Sequence, residues 1–156
     1  MSYIDILAAE IDASSDEPAC AGGADNGVIS SFEKYLDVVF PESYKIFLKK
    51  YGALSFGGDT YYGITKNGLN ATAAPSVAFV TKSARARGDA DDSMIVVKSS
   101  GYGPIYSIDT SIIGSAGEPV VVETELSFKR SGEKNVIYQD FEEFFTDMIR
   151  EAIAEL

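Results

Sequence analysis

The chain has 156 residues, and nearly half of them are apolar, which is typical of one folded domain and not of a disordered segment. It contains one cysteine, Cys20, and no histidine, which excludes an internal disulfide and the usual histidine-dependent nucleophiles and zinc sites. The net charge of -11 would repel nucleic acids and anionic lipids. We therefore expect no nucleic acid and no membrane among its partners.

The acidic residues are concentrated near the two ends of the sequence. Residues 1–42 contain nine acidic residues and one basic residue, and residues 140–156 contain six and one, whereas the segment between them carries a small positive excess. Such a charge distribution favours the approach of a basic protein, although acidic helix faces can also serve solubility alone. The N-terminus lacks the basic start and long apolar core of a secretory signal, so we expect a cytoplasmic protein.

The N-terminal third predicts two amphipathic helices separated by a loop. Apolar residues of the first helix, over residues 3–12, fall on one face, and Ser2 is a plausible cap. Residues 14–27 are small, polar and glycine-rich, which indicates a loop. The second helix is predicted from helically spaced apolar residues that follow this loop: Val28, Phe32, Tyr35, Leu36 and Val39.

The stretch FPESYKIFLKKYG, residues 40–52, predicts a well-specified third helix. Its apolar face consists of Tyr44, Phe47, Leu48 and Tyr51, and Pro41 suits the first turn because its missing N–H would have no partner there. Gly52 can adopt the left-handed conformation that commonly ends a helix.

The rest of the chain predicts short strands, one internal helix and a strongly amphipathic C-terminal helix. We expect the internal helix from Pro75 to Arg87 and the C-terminal helix from Phe141, with Asp140 as its cap. Glycines 101 and 103 are interpreted as a turn between strands. The predicted strands are Leu54–Phe56, Tyr61–Ile64, Met94–Lys98, Pro104–Ile108, Pro119–Glu123 and Val136–Tyr138. This order predicts a single α+β domain over residues 1–156, with a mainly antiparallel sheet packed against several helices.

The residues that could support catalysis or bind a metal do not form a recognisable constellation. Cys20 has no neighbouring base, Ser31 and Lys34 lack the other motifs of serine acyl enzymes, and the acidic run at residues 89–92 lacks the glycine and distant glutamate of a calcium loop. Glu142 and Glu143 diverge by about 100° on a helix. We therefore expect no enzymatic activity, no cofactor and no metal.

The segment ISSFEKYLDVVFPESYKIFLKKYG resembles the SUKH superfamily (Knr/Smi-like), which includes bacterial immunity proteins and yeast cell-wall regulators. The matching positions are Phe32, Glu33, Leu36, Phe40, Pro41, Tyr44, Phe47, Leu48, Tyr51 and Gly52. Looser similarity continues through residues 105–111 and the terminal helix. The family's glycine pair is displaced here to Gly57 and Gly58, which leaves the turn after the motif helix undefined.

The resemblance implies a non-enzymatic immunity protein that binds and neutralises a cognate bacterial toxin, possibly a nuclease. The alternative is an intracellular scaffold or regulatory module of the same superfamily. The resemblance also implies that the framework motif, Glu33, Pro41, Tyr44, Phe47, Leu48, Tyr51 and Gly52, packs a helix and does not mark the partner site. Because a nuclease must hold phosphates, its surface would be basic.

The residues predicted to bind such a partner are acidic side chains of the sheet and its loops. We expect these side chains to be exposed and to form one concave patch, in contrast to acids spread along a convex terminal helix. The predicted partner-binding residues are Asp89, Asp91, Asp92, Glu123 and Glu125.

Overall fold

The computed structural model describes residues 2–100 and 103–156. Within them, six α-helices and two antiparallel sheets form an α+β domain. The helices are α1 (Tyr3–Asp12), α2 (Asn26–Leu36), α3 (Glu42–Tyr51), α4 (Val77–Arg87), α5 (Phe128–Ser131) and α6 (Phe141–Ala154), with a 3-10 turn at Gly68–Asn70. The strands are β1 (Ala19–Cys20), β2 (Leu54–Phe56), β3 (Asp59–Tyr61), β4 (Met94–Ser99), β5 (Ile105–Ile113), β6 (Pro119–Thr124) and β7 (Asn135–Tyr138). No helix in the described ranges has the length and apolar character needed to span a membrane.

The main core is built on the aromatic faces of α3 and α6, the two helices that the sequence pattern specifies best. Phe47 is fully buried, and its ring centre lies 5.2 Å from that of Phe145 and 5.5 Å from that of Phe141. Tyr44 is also buried and donates a hydrogen bond to the carbonyl of Tyr62 at 2.8 Å, which satisfies its hydroxyl. Helix α1 packs against α6 and adds Ile4, Leu7 and Ile11 to this core.

The larger sheet has the strand order β4-β5-β6-β7 and is covered on both faces. One face adds Ile95, Val97, Ile108 and Val121 to the main core. The opposite face supplies Met94, Val96, Val120 and Val122 to a second cluster, which α4 and α5 complete through Ala84 and Phe128. Burial on both faces explains why β4 and β6 are read as nearly continuous apolar runs instead of alternating ones.

The smaller sheet, β1-β2-β3, joins the segment before α2 to the strands that follow α3 by backbone hydrogen bonds. Cys20 pairs with Leu54, and the backbone N–H of Ala24 donates to the carbonyl of Leu48 at 2.9 Å. The segment predicted as a loop therefore contains a two-residue strand, which is too short to give a periodic sequence signal. Helix α5, four residues long, was not predicted for the same reason.

The second helix ends earlier than the apolar spacing indicates. Asp37, with a φ of 55°, is in the left-handed conformation and terminates α2 after Leu36. Consequently Val39 lies beyond the helix and is 74% exposed, and Tyr35 is 46% exposed, whereas Ile29 is buried in their place. The prediction that Tyr35 and Val39 belong to the apolar face is therefore wrong.

Other predicted boundaries shift by a few residues. Strand β3 runs from Asp59 to Tyr61 and not from Tyr61 to Ile64, and β5 continues to Ile113, five residues beyond its predicted end. The predicted cap of α6 is confirmed, since the Asp140 carboxylate accepts the backbone N–H of Glu143 at 2.8 Å. The turn predicted at glycines 101 and 103 includes two residues, 101 and 102, that lie outside the described part of the chain.

Gly52 forms a tight turn at the end of α3, but not the left-handed helix cap predicted for it. Its φ of 72° and ψ of -70°, with a hydrogen bond of 2.8 Å from the N–H of Ala53 to the carbonyl of Tyr51, define a γ-turn. A Cβ atom at this position would lie 2.2 Å from the carbonyl oxygen of Gly22 and 2.6 Å from that of Ile64. Both the backbone conformation and the close packing therefore require glycine.

Gly52→Ala should destabilise the protein more than an alanine placed at a positive-φ glycine in open space. Gly117, with a φ of 82° and no atom within 4 Å of a built Cβ, provides the matched control. We expect a cost of about 1–2 kcal/mol for Gly117→Ala from backbone strain alone. Gly52→Ala should cost about 1–3 kcal/mol more because two backbone segments must also move apart. Urea denaturation of the two variants would measure this difference, and equal costs would contradict the close-packing argument.

Candidate partner-binding surface

Glu33 is the charged member of the family motif, and its carboxylate fixes the connection between α2 and α3. Glu33 Oε2 accepts the backbone N–H of Phe40 at 2.7 Å and lies 3.8 Å from the ammonium nitrogen of Lys45. The bond satisfies a backbone donor just before α3, whose first turn provides no partner for it. Glu33 thereby positions Pro41 and the aromatic face that follows.

The remaining motif residues, Pro41, Tyr44, Phe47, Leu48, Tyr51 and Gly52, are all buried. Each therefore packs the interior or closes a turn, and none presents a side chain that a partner protein could reach. This placement agrees with the framework role implied by the resemblance, and a partner surface must be sought elsewhere.

The loop acids between α4 and β4 are largely engaged in ion pairs within the protein. The Lys134 ammonium bridges two carboxylates, at 2.6 Å from Asp91 Oδ2 and 2.7 Å from Asp109 Oδ2. The Asp109 side chain is fully buried and also accepts hydrogen bonds from the hydroxyls of Ser93 and Ser111. Asp89 pairs with Arg87 at 2.9 Å. Of the predicted loop residues, only Asp92 is exposed and makes no ion pair or side-chain hydrogen bond within the described ranges.

The Lys134 bridge keeps both of its carboxylates ionised. Burial by itself would raise the pKa of Asp109, but hydrogen bonds from Lys134 and Ser111 outweigh that effect and hold the pKa below its ordinary value. The pKa of Asp91 is lowered in the same way, by Lys134 and Ser93 against the effect of burial. This network joins the start of β4, the middle of β5 and the start of β7, so we interpret Asp91 primarily as a structural residue.

Glu123 and Glu125 lie away from the loop acids, so the expectation of one patch is wrong. At one end of the sheet, strands β4, β5 and β6 pair through Met94, Asp109 and Val120. At the other end they pair through Ser99, Ile105 and Thr124. Glu123, opposite Tyr106, is at the second end and on the face of the main core, whereas Asp109 belongs to the opposite face. The alternation of side chains along one strand does not show which ends of neighbouring strands lie together, so the sequence alone does not reveal that Glu123 is distant from the loop acids. That a partner contacts any of the five residues stays a prediction.

The two acidic helices of the chain ends pack against each other, which sequence reasoning missed. Helices α1 and α6 lie side by side and are joined by two hydrogen bonds from the Arg150 guanidinium to the Glu10 carboxylate, at 3.0 and 3.1 Å. This pairing engages the one basic residue of α6. The exposed carboxylates of the pair are Asp5, Asp12, Glu142, Glu143, Glu151 and Glu155. The separate acidic blocks at the two ends of the sequence are the signal for this pairing. Tyr3 at the start of α1 lies near Glu142 at the start of α6, and Glu10 pairs with Arg150 further along, so the two helices run in the same direction.

Negative charge is most crowded where α6 begins. The Tyr3 hydroxyl donates to the carbonyl of Ser43 at 2.6 Å, and the Ser43 hydroxyl donates to Glu118 at 2.5 Å. Burial, with the charges of Asp140 and Glu118, raises the pKa of Glu142. Carboxylates here complement the positive end of the helix dipole, so part of this charge stabilises α6 itself.

Within residues 2–100 and 103–156, no group of three or more histidine, cysteine, aspartate or glutamate side chains is arranged to hold a metal ion. Cys20 is an exposed free thiol. The arrangement offers buried structural carboxylates and an acidic, convex outer surface.

The fold is therefore an α+β domain in which the motif of residues 29–52 forms most of α2 and all of α3, and both helices contribute to the main core. A family model described as SMI1-KNR4 cell-wall, SUKH_6, matches residues 26–145. The chain belongs to this SUKH family. No curated protein shows significant sequence similarity to it.

Proposed function

We propose that this protein is a non-enzymatic immunity protein, which binds a cognate bacterial toxin with a basic surface and thereby neutralises it. The observation that carries the proposal is the set of exposed carboxylates on the packed helices α1 and α6 of a SUKH fold, with a net charge of -11 for the whole chain. A negatively charged surface accelerates association with a positively charged protein. It can also occupy the sites at which such a protein would bind phosphates.

A nuclease is the toxin class that fits this chemistry best, because its substrate-binding surface must be rich in lysine and arginine. Neutralisation then requires only that the acidic protein cover that surface. The proposal needs no catalytic group in the immunity protein, in agreement with the expectation of no enzymatic activity.

The test is a survival experiment in bacteria. The toxic domain encoded beside this gene would be expressed from an inducible promoter, with and without this protein. We expect survival only when both are present, and co-purification of the two proteins. Equal killing with and without the protein, at matched expression, would contradict the proposal.

A second candidate function is a scaffold or regulatory module. The description of the matched family, which refers to the cell wall, favours it. The two functions differ in a simple observation: a regulator would alter growth or cell-wall sensitivity when deleted in the absence of any toxin, whereas an immunity protein would not.

Absence of catalysis is tested separately. The purified protein should show no turnover of nuclease, esterase, phosphatase or peptidase substrates. Turnover that follows the protein through purification and is lost in a point variant would contradict a purely binding role.

A further inference from the structure

Three tyrosine rings from three different strands converge on one phenylalanine of α6. The ring centres of Tyr61, Tyr106 and Tyr138 lie 6.3, 5.9 and 5.7 Å from that of Phe144. Phe144 and Tyr61 are fully buried, whereas Tyr106 and Tyr138 are half-buried and therefore reach the surface. We call these three residues the tyrosine cluster.

Carboxylates of β3, of β6 and the residue after it, and of α6 lie around the tyrosine cluster. Burial and the negative charges of Glu123, Glu125 and Asp59 raise the pKa of Tyr106. Burial, a hydrogen bond to Asp147, and the charges of Asp147, Glu151 and Glu143 raise the pKa of Tyr138. The contacts agree with these directions, since the Tyr138 hydroxyl donates a hydrogen bond to the Asp147 carboxylate and Lys98 contacts both Asp59 and the Tyr106 ring.

Much of this negative charge is uncompensated. Lys98 is the cation in contact with the cluster: its ammonium lies 3.4 Å from Asp59 and 5.0 Å from the centre of the Tyr106 ring. Glu125, Glu143 and Glu151 are exposed, and their side chains make no ion pair or hydrogen bond within the described part of the chain. These three carboxylates are available to an external cation.

The hydroxyl of Tyr61 is an unused polar group beneath the same surface. The residue is 0% exposed, and its hydroxyl has no hydrogen-bond partner among the described residues. Its electrostatic neighbours are Asp59, Glu151 and Tyr138, which places the hydroxyl on the side of the cluster where the carboxylates lie. This hydroxyl is buried too deeply for a partner protein to reach, so the accessible part of the cluster consists of Tyr106, Tyr138 and the carboxylates around them.

We infer that the tyrosine cluster and the carboxylates around it bind arginine side chains of a basic partner protein. A guanidinium is planar, so it can stack on a tyrosine ring and at the same time donate paired hydrogen bonds to a carboxylate. A lysine ammonium lacks the planar fork and would gain less. The inference rests on the proposed function and names the surface and the chemistry by which the partner would be recognised.

Peptide binding tests the inference without the partner protein. The probes are fluorescent octa-arginine and octa-lysine, measured by anisotropy near physiological ionic strength. The variant Glu125→Gln/Glu151→Gln removes two carboxylates of the surface, and Glu17→Gln/Glu42→Gln removes two exposed carboxylates that do not act on the tyrosines. We expect about a fivefold loss of octa-arginine affinity in the first variant, a smaller loss for octa-lysine, and little change in the second variant. Equal losses in both variants would overturn the inference, since binding would then follow net charge alone.

The survival experiment separates this inference from the proposed function. If Glu125→Gln/Glu151→Gln rescues cells as well as the wild type does, the surface is overturned and the immunity function stands. If the wild type fails to rescue while the peptide differences are observed, the immunity function is overturned and the arginine-binding surface stands.

Discussion

Phe47→Ala should lower the free energy of unfolding by about 3–5 kcal/mol, as expected when a fully buried phenylalanine is truncated. The Phe47 ring contacts Tyr44, Tyr51, Phe141 and Phe145, so its loss leaves a cavity between α3 and α6, the two helices of the main core. A typical domain has a total stability of about 5–15 kcal/mol, and the variant would therefore be close to unfolding.

Lys49→Ala, on the exposed side of the same helix, is the matched control for Phe47→Ala. We expect it to change stability by no more than about 0.5 kcal/mol. Urea midpoints of the two variants and the wild type provide the measurement. If both variants unfold at the same midpoint, the orientation of α3 described above is wrong.

Lys134→Met should cost about 3 kcal/mol near neutral pH, because it removes the cation that compensates the buried Asp109 carboxylate. In the wild type the pKa of Asp109 is below its ordinary value of about 4, so its ionised form stabilises the fold above that pH and this stabilisation is lost as the pH falls through the lower, folded-state pKa. In the variant, protonation instead relieves an uncompensated charge.

The difference in unfolding free energy between wild type and Lys134→Met should accordingly shrink between pH 7 and about pH 3. Lys66→Met, at an exposed loop lysine that makes no ion pair within the described part of the chain, should show no such pH dependence. A Lys134→Met difference that is constant over this range would show that the ammonium contributes only packing.

The elements that the sequence predicts well are those that bury one continuous face. The apolar residues of α3 and α6 are spaced so regularly that both helices and the Asp140 cap of α6 can be read directly, and the valine-rich run of β6 is equally clear. Strand β1 and helix α5 are too short to produce a period. The end of α2 depends on the left-handed conformation of Asp37, which no apolar spacing reports.

The candidate surface was less predictable than the fold, because it depends on contacts between residues distant in sequence. The sequence indicates that Asp91 is an exposed loop residue. In the structure it forms an ion pair with Lys134, which lies forty-three positions later in the chain. Tyr61, Tyr106 and Tyr138 lie on strands that pair only after the chain has folded, so their convergence on Phe144 has no local sequence signal. The sequence shows that Glu123 belongs to a strand. The residues beside it on the neighbouring strands depend on the pairing register, which the sequence does not show.

The N-terminal helix α1 packs into the same core as the region matched by the family model, although it lies outside that region. Recognisable similarity spans residues 26–145, but α1 buries Leu7 and Ile11 in the same core, and α6 continues for nine residues past that limit. A chain cut to residues 26–145 would lose the helix that covers α6 and would interrupt α6 itself after Phe145. The limit of detectable ancestry therefore falls inside the cooperative folding unit, and a fragment chosen by homology alone would expose apolar surface and aggregate.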